Sequence, residues 1–112
     1  MYAYIILNIV APTINFQVGD IAKIPIIINE YKKELVENIV KNNISLSKSD
    51  WDSFETSWDF KEHPLVKNHV NRISEAYKLW DEECEDRFNT LKSNEEELNR
   101  IFIDIYGLQD EL

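Results

Sequence analysis

The stretch Val70-Asn-Arg-Ile-Ser-Glu-Ala-Tyr-Lys-Leu-Trp80-Asp-Glu-Glu-Cys-Glu-Asp-Arg-Phe-Asn-Thr-Leu91 decides the fold. Among its apolar residues, those at positions 70, 73, 77, 80, 84 and 91 form one series, and Arg87 stands where another was due. Alternating steps of three and four place these side chains on one stripe of a helix, the spacing of a heptad seam that needs a partner to cover it. Immediately downstream, Ser93-Asn-Glu-Glu96 has the form of an N-terminal capping box, in which a hydroxyl and a carboxylate satisfy each other's backbone amides. Leu98, Ile101, Phe102 and Ile105 then continue the helical period to Gly107, a residue suited to a C-terminal stop. Residues 70–106 therefore read as two helices with a start at Ser93, or as one helix with a bend.

Upstream, Tyr31, Leu35, Val36, Ile39 and Val40 recur at helical spacing from Glu30 to about Lys41, and Asn42-Asn43 supplies a stop. Ser47 with Asp50 three residues on suggests a second helix start, followed by Trp51, Phe54 and Trp58 on one face and an end at Lys61-Glu-His-Pro64. The first 28 residues differ in composition, carrying only Asp20 and Lys23 as charges. Within them Ile14, Phe16 and Val18 alternate with polar residues as a half-buried strand requires, and Gly19-Asp20 marks a turn. Ile24-Pro-Ile-Ile-Ile28 reads as extended, because Pro25 lacks an amide proton and pushes Ile24 away from helical angles. The expected fold is mostly α, a helical hairpin or bundle with a short extended N-terminal segment. Its division is an apolar segment over 1–28, the tail of a preceding domain or a short extended pairing, and a helical connector domain over 29–112.

Composition narrows the function. A chain of 112 residues with 44% hydrophobic and 29% charged residues is one domain's worth of an ordinary globular composition. Twelve Lys and Arg against 21 Asp and Glu leave a net charge of −9, a field that repels phosphate. The candidates for a basic patch are Lys23, Lys32, Lys33, Lys41 and Lys48, but the helical period scatters the middle three around the cylinder, and each has Glu30, Glu34 or Glu37 within a turn or two. DNA contact is thus expected only through a larger parent. Cys84 is the single cysteine, so no internal disulfide is possible, and a reducing, cytoplasmic setting is expected. The apolar run Met1–Val10 has no positive flank and stops near Pro12, too short for a membrane span.

Each chemical constellation has a plainer reading beside it. Gly19 and Gly107 are isolated, which excludes a P-loop, and no Gly-rich turn or Asn-Pro-Pro-Tyr motif is present to hold S-adenosylmethionine or a flipped adenine. Asp50 with Asp59-Phe-Lys61 has the residue order of a metal-dependent nuclease, but the surrounding aromatic spacing is helical where such a site needs a bent sheet. His63 and His69 lack the companions of a zinc site and read as solvent-facing or helix-flanking. Trp51, Phe54 and Trp58 resemble a base-stacking platform, yet Asp50, Asp52, Glu55 and Asp59 stand where lysines would be needed, so packing in the core is the expectation. Asp81-Glu-Glu-Cys-Glu-Asp86 lacks the spacing and glycine of a calcium loop and reads as a solvated helix face. Cys84, on the seam, reads as a small buried apolar residue. No catalytic, cofactor-binding or metal-ligating residue is assigned.

Three blocks carry a resemblance: Ala11-Pro-Thr-Ile-Asn-Phe-Gln-Val-Gly-Asp-Ile-Ala-Lys-Ile-Pro-Ile26, Ser49-Asp-Trp-Asp-Ser-Phe-Glu-Thr-Ser-Trp-Asp-Phe60 and Glu97-Leu-Asn-Arg-Ile-Phe-Ile-Asp-Ile-Tyr-Gly-Leu108. In this order they resemble the region after the catalytic domain in adenine-specific DNA methyltransferases of the bacteriophage-exclusion (BREX) systems, also called phage-growth-limitation X proteins. Related blocks occur in type IIG restriction-modification enzymes. The middle, Trp-rich block is the most specific. The family usually shows Asn-Pro where this chain has Ala11-Pro12. The resemblance implies a parent that uses S-adenosylmethionine to methylate adenine N6 as host marking in phage defence. It also implies that this chain, matching neither the cofactor motif nor the catalytic motif, is no enzyme alone but a connector between catalytic and target-recognition parts. The expected partners are the parent's other domains, with a docked defence-system subunit or self-association through the heptad seam as the alternative, and no membrane.

Overall fold

The computed structural model describes residues 2–11 and 15–110. Among the described residues the chain forms helices α1 (Tyr2–Val10), α2 (Val18–Ile21), α3 (Glu30–Trp51), α4 (Pro64–Lys67) and α5 (Ile73–Tyr106), with no strand. The mostly α fold class holds. The heart of the structure is a hairpin in which α3 and α5 run antiparallel: Lys32 meets Asp104, Asn42 and Asn43 meet Asn94, and Ser49 meets Arg87.

The strand expected around Ile14, Phe16 and Val18 does not form. Ile14 lies outside the described residues, and Val18 opens α2. A β-strand pairs its backbone only against a second strand, and no described segment provides one; a helix satisfies itself. Asp20 ties the turn down by accepting a hydrogen bond from the Gln17 amide at 3.2 Å. The segment after it, 25–29, is non-helical as Pro25 requires. It is fastened to the far end of α5 by Tyr106, whose hydroxyl donates to the Pro25 carbonyl at 3.1 Å and accepts from the Ile27 amide at 3.2 Å.

Asn29 caps α3, its side-chain oxygen accepting from the amides of Tyr31 and Lys32. The helix then runs past Asn42-Asn43, which were expected to stop it. Both side chains are engaged across the hairpin: the Asn94 amide donates to Asn42 at 3.1 Å and to Asn43 at 2.8 Å. An asparagine disfavours helix because its side chain competes for local backbone groups, and here that capacity is taken up by a tertiary partner. The helix expected to begin at Ser47 is absent; α3 ends at Trp51 instead. The Ser53 hydroxyl donates to the Asp50 carbonyl at 2.7 Å, and the buried Ser57 hydroxyl donates to Asp52 at 2.6 Å while accepting from the Asp59 amide at 3.1 Å. Residues 52–62 form a chain of turns folded around Ser57, and Trp51, Phe54 and Trp58 do not share a helix face.

The chain re-enters helix at α4, where Pro64 takes the first turn and His63 Nδ1 accepts from the Leu65 amide at 3.2 Å. After His69, whose φ of 43° is left-handed, α5 proceeds unbroken for 34 residues, about 50 Å at 1.5 Å per residue. Ser93 lies within it and starts nothing. Gly107 ends it at φ 65°, with paired bonds from Gly107 N to Asp104 O at 3.2 Å and Leu108 N to Ile103 O at 2.9 Å. These bonds satisfy the last carbonyls only if that residue turns left-handed.

The heptad seam is half covered. Ala76 is 2% exposed and Ile101 5%, and Trp80, Cys84, Leu91 and Leu98 are half-buried, while Val70, Ile73 and Tyr77 stand in solvent. The molecule is long, 57 × 31 × 23 Å with a radius of gyration of 19.3 Å, against about 13 Å for a compact chain of this length. Its accessible surface of 9212 Å² exceeds the roughly 6,400 Å² expected of a self-contained protein of 13.3 kDa.

Candidate functional site

The two helices of the hairpin are registered by polar contacts spread along their length. Tyr106 and the Lys32–Asp104 ion pair hold one end, Asn94 the middle and Arg87 the other end. Arg87 is the residue that interrupts the seam. Its guanidinium lies 3.4 Å from Asp50, 3.4 Å from the Ser49 hydroxyl and 3.3 Å from Cys84 Sγ, with only 15% of its side chain exposed. A break in an apolar stripe thus marks a cross-helix contact, the one signal in the sequence that pointed to it. Asn94 and Tyr106 gave no such signal, since their partners are 51 to 81 residues away.

One side of the hairpin carries a polar cleft of about 480 Å³, bordered by Lys48, Asp52, Asp59, Lys61, Trp80 and Glu83. Lys48 is its pivot, 2.7 Å from Asp52 and paired as well with Asp59. Hydrogen bonds to the two carboxylates, Asp52 first, push the Lys48 ammonium up to about 12. In return, Lys48 and then Ser57 hold the Asp52 carboxyl below its ordinary range. Lys32 does the same to Asp104. The nuclease constellation is not assembled: Asp59 and Lys61 border this cleft, whereas Asp50 lies on the opposite groove against Arg87. Among the described residues no group of three or more His, Cys, Asp or Glu is placed to hold a metal ion.

The opposite side carries a groove of the same volume, about 480 Å³, but apolar, formed by Leu46, Trp51, Phe54, Cys84, Phe88 and Leu91. Trp51, Phe54 and Phe88 are exposed in it, and Trp58 is fully exposed elsewhere, so the packing expected of the Trp51, Phe54 and Trp58 stripe is not what these residues do. The turns after α3 aim Phe54 back beside Trp51, and Phe88 is supplied by α5. Cys84 is half-buried at the base, not sealed in the core. His63 flanks α4 as its cap and meets Trp80 edge-on at 5.3 Å between ring centres, while His69 is exposed. All five lysines that formed the candidate basic patch are matched to carboxylates: Lys23 to Asp20, Lys32 to Asp104, Lys33 to Glu30, Lys41 to Glu37, and Lys48 to Asp52 and Asp59. The run Asp81–Asp86 lies on α5 with every residue but Cys84 exposed. Among the described residues no helix is long and apolar enough to cross a membrane.

No family model matches the chain, and no solved structure matches it. Two curated proteins do. It is 45% identical over 111 residues to the adenine-specific methyltransferase PglX of Lacticaseibacillus casei, an alignment that covers 95% of this chain and 9% of that protein. It is 32% identical over 104 residues to the adenine-specific methyltransferase BrxX of Escherichia coli, covering 93% of this chain and 8% of that protein. The chain therefore spans less than a tenth of the length of these relatives. In agreement with the three sequence blocks, it is, along nearly all its length, homologous to a short segment of the adenine-specific methyltransferases PglX and BrxX.

Proposed function

We propose that this chain is the helical connector of a BREX-like adenine-N6 DNA methyltransferase, a non-catalytic segment that fixes the distance and angle between the catalytic and target-recognition parts. The observation that carries this reading is the surface. A structure that buries so little, and exposes some 9212 Å² where about 6,400 Å² would suffice, is built to be covered by neighbours. Homologous segments sit within proteins more than ten times as long. The architecture suits a spacer: a single 34-residue helix is a stiff rod of about 50 Å, and α3 clamps it from Arg87 to Asp104. The neutralised lysines and the net charge of −9 give duplex DNA little to hold on this segment, since non-specific affinity comes from cations that release counterions. Binding DNA and S-adenosylmethionine then falls to the remainder of the parent.

The test is made in the full-length methyltransferase. Two glycines inserted after Ser93 break the rod and turn everything beyond it by about 200° at 100° per residue. Site-specific adenine methylation is expected to be lost, with S-adenosylmethionine binding retained. Methylation at the unmodified rate would remove the spacer role. A second reading, docking of another protein element, is favoured by one observation, the aromatic groove.

A further inference from the structure

The apolar groove has features that the connector role does not use. Trp51 and Phe54 from the end of α3, with Phe88 and Leu91 from α5, line a trough in which three aromatic rings remain exposed. Ile44 and Val40 continue the same side of α3, seven and eleven residues before Trp51, and both are exposed. A trough with this many uncovered rings is larger and more continuous than the scattered apolar residues of an ordinary surface.

Charge defines what fits. The only charged residues in the lining, Asp50 and Arg87, neutralise each other at 3.4 Å. Around the α5 edge, Glu85 precedes Phe88 by three, Asp81 precedes Cys84 by three, and Glu95 follows Leu91 by four, all exposed and on the groove's side of the helix. Lys92 lies four residues beyond Phe88, and its ammonium is 4.0 Å from Glu96. On α3 the nearby Glu37 and Lys41 pair with each other at 3.6 Å. The rim is therefore acidic, around an apolar floor.

We infer that this groove seats an amphipathic helix whose apolar stripe is flanked by lysine or arginine, supplied by another segment of the same polypeptide. A second copy of this chain is the wrong occupant, because it would bring the same acidic rim and the same charge of −9 against the first. The source within one polypeptide follows from scale: the relatives align to this chain over only 8 to 9% of their length, and a tethered segment meets the groove at a high effective concentration. The inference rests on the connector reading only in taking the chain as part of a longer polypeptide.

The test is zero-length carbodiimide cross-linking of the full-length methyltransferase, which joins a carboxylate to an amine in direct contact. Asp81, Glu85 and Glu95 are expected to be joined to lysines of one other helical segment, at a rate unaffected by dilution. Phe88→Asp should reduce those cross-links by about tenfold or more, since it sets an unpaired carboxylate against an apolar stripe. Phe88→Leu should restore them, and the Lys41–Glu37 link within α3 should be unchanged in both. Links that fade on dilution and join two copies would overturn the inference in favour of self-association. Rim carboxylates that link to nothing, or only to lysines of this chain, would overturn it outright. Methylation after the Ser93 insertion is a separate readout, so a spacer with an empty groove and a filled groove without a spacing role are told apart.

Discussion

Arg87, Asn94, Lys32 and Tyr106 do more to define this structure than any apolar residue, because only Ala76, Ile101, Ser57 and Pro64 are buried among the described residues. A hairpin with so small a core takes its register from directional contacts. Each is individually modest, as exposed or half-exposed hydrogen bonds and ion pairs are. Two carboxylates carry a pH signature. Asp104, lowered by Lys32, and Asp52, lowered by Lys48 and Ser57, bind a proton less readily in the folded chain than in the unfolded one. Their contribution is thus fully present above the unfolded carboxylate range, near pH 4, and is lost as pH falls through their lower folded values. Helicity followed by circular dichroism is expected to hold to about pH 4 and to decline below it, and Lys32→Met should remove Asp104's share and flatten that decline. A profile identical in the variant would show that the pair does nothing for the fold.

At the scale of elements, the unbroken α5 makes a prediction opposite in sign to its alternative. Ser93 is exposed in mid-helix, where alanine is the better residue by a few tenths of a kcal/mol. Ser93→Ala is therefore expected to raise the thermal midpoint slightly. If Ser93 capped a second helix, the same change would cost about 1 kcal/mol, and a lowered midpoint would mean that the helix is broken there. The period of Tyr31 to Val40 and of Val70 to Leu91 made both long helices legible in the sequence, and Gly107 marked the end of α5 in its true place. What local pattern could not reveal was which signals the tertiary structure would use. Asn42-Asn43 and Ser93-Glu96 are punctuation in isolation, but opposite Asn94 the first becomes a clamp, and beside a packed α3 the second is overrun. The Trp51, Phe54 and Trp58 spacing suggested a helix face because the competing bonds of Ser53, Ser57 and Asp59 are side-chain choices that periodicity does not see. The groove was hidden for the same reason: it joins Trp51 and Phe54 to Phe88, and nothing in the sequence places residues more than thirty apart side by side.

At the scale of the whole molecule, length and surface belong together. In the proposed connector role, a radius of gyration of 19.3 Å and an excess of exposed apolar side chains suit a strut stabilised in part by what lies against it. For such an element the functional quantity is stiffness, and stiffness rests on α5 remaining one helix when neighbouring parts pull on its ends. Spin labels placed at Glu75 and Asn99, both exposed on α5, with Cys84 replaced, report that directly by electron–electron dipolar spectroscopy in the full-length protein. Twenty-four residues of continuous helix separate the two sites by about 36 Å along the axis. One narrow distance population near that value is the expected result; a broad distribution, or a second and shorter population from a break near Ser93, would contradict the rigid connector.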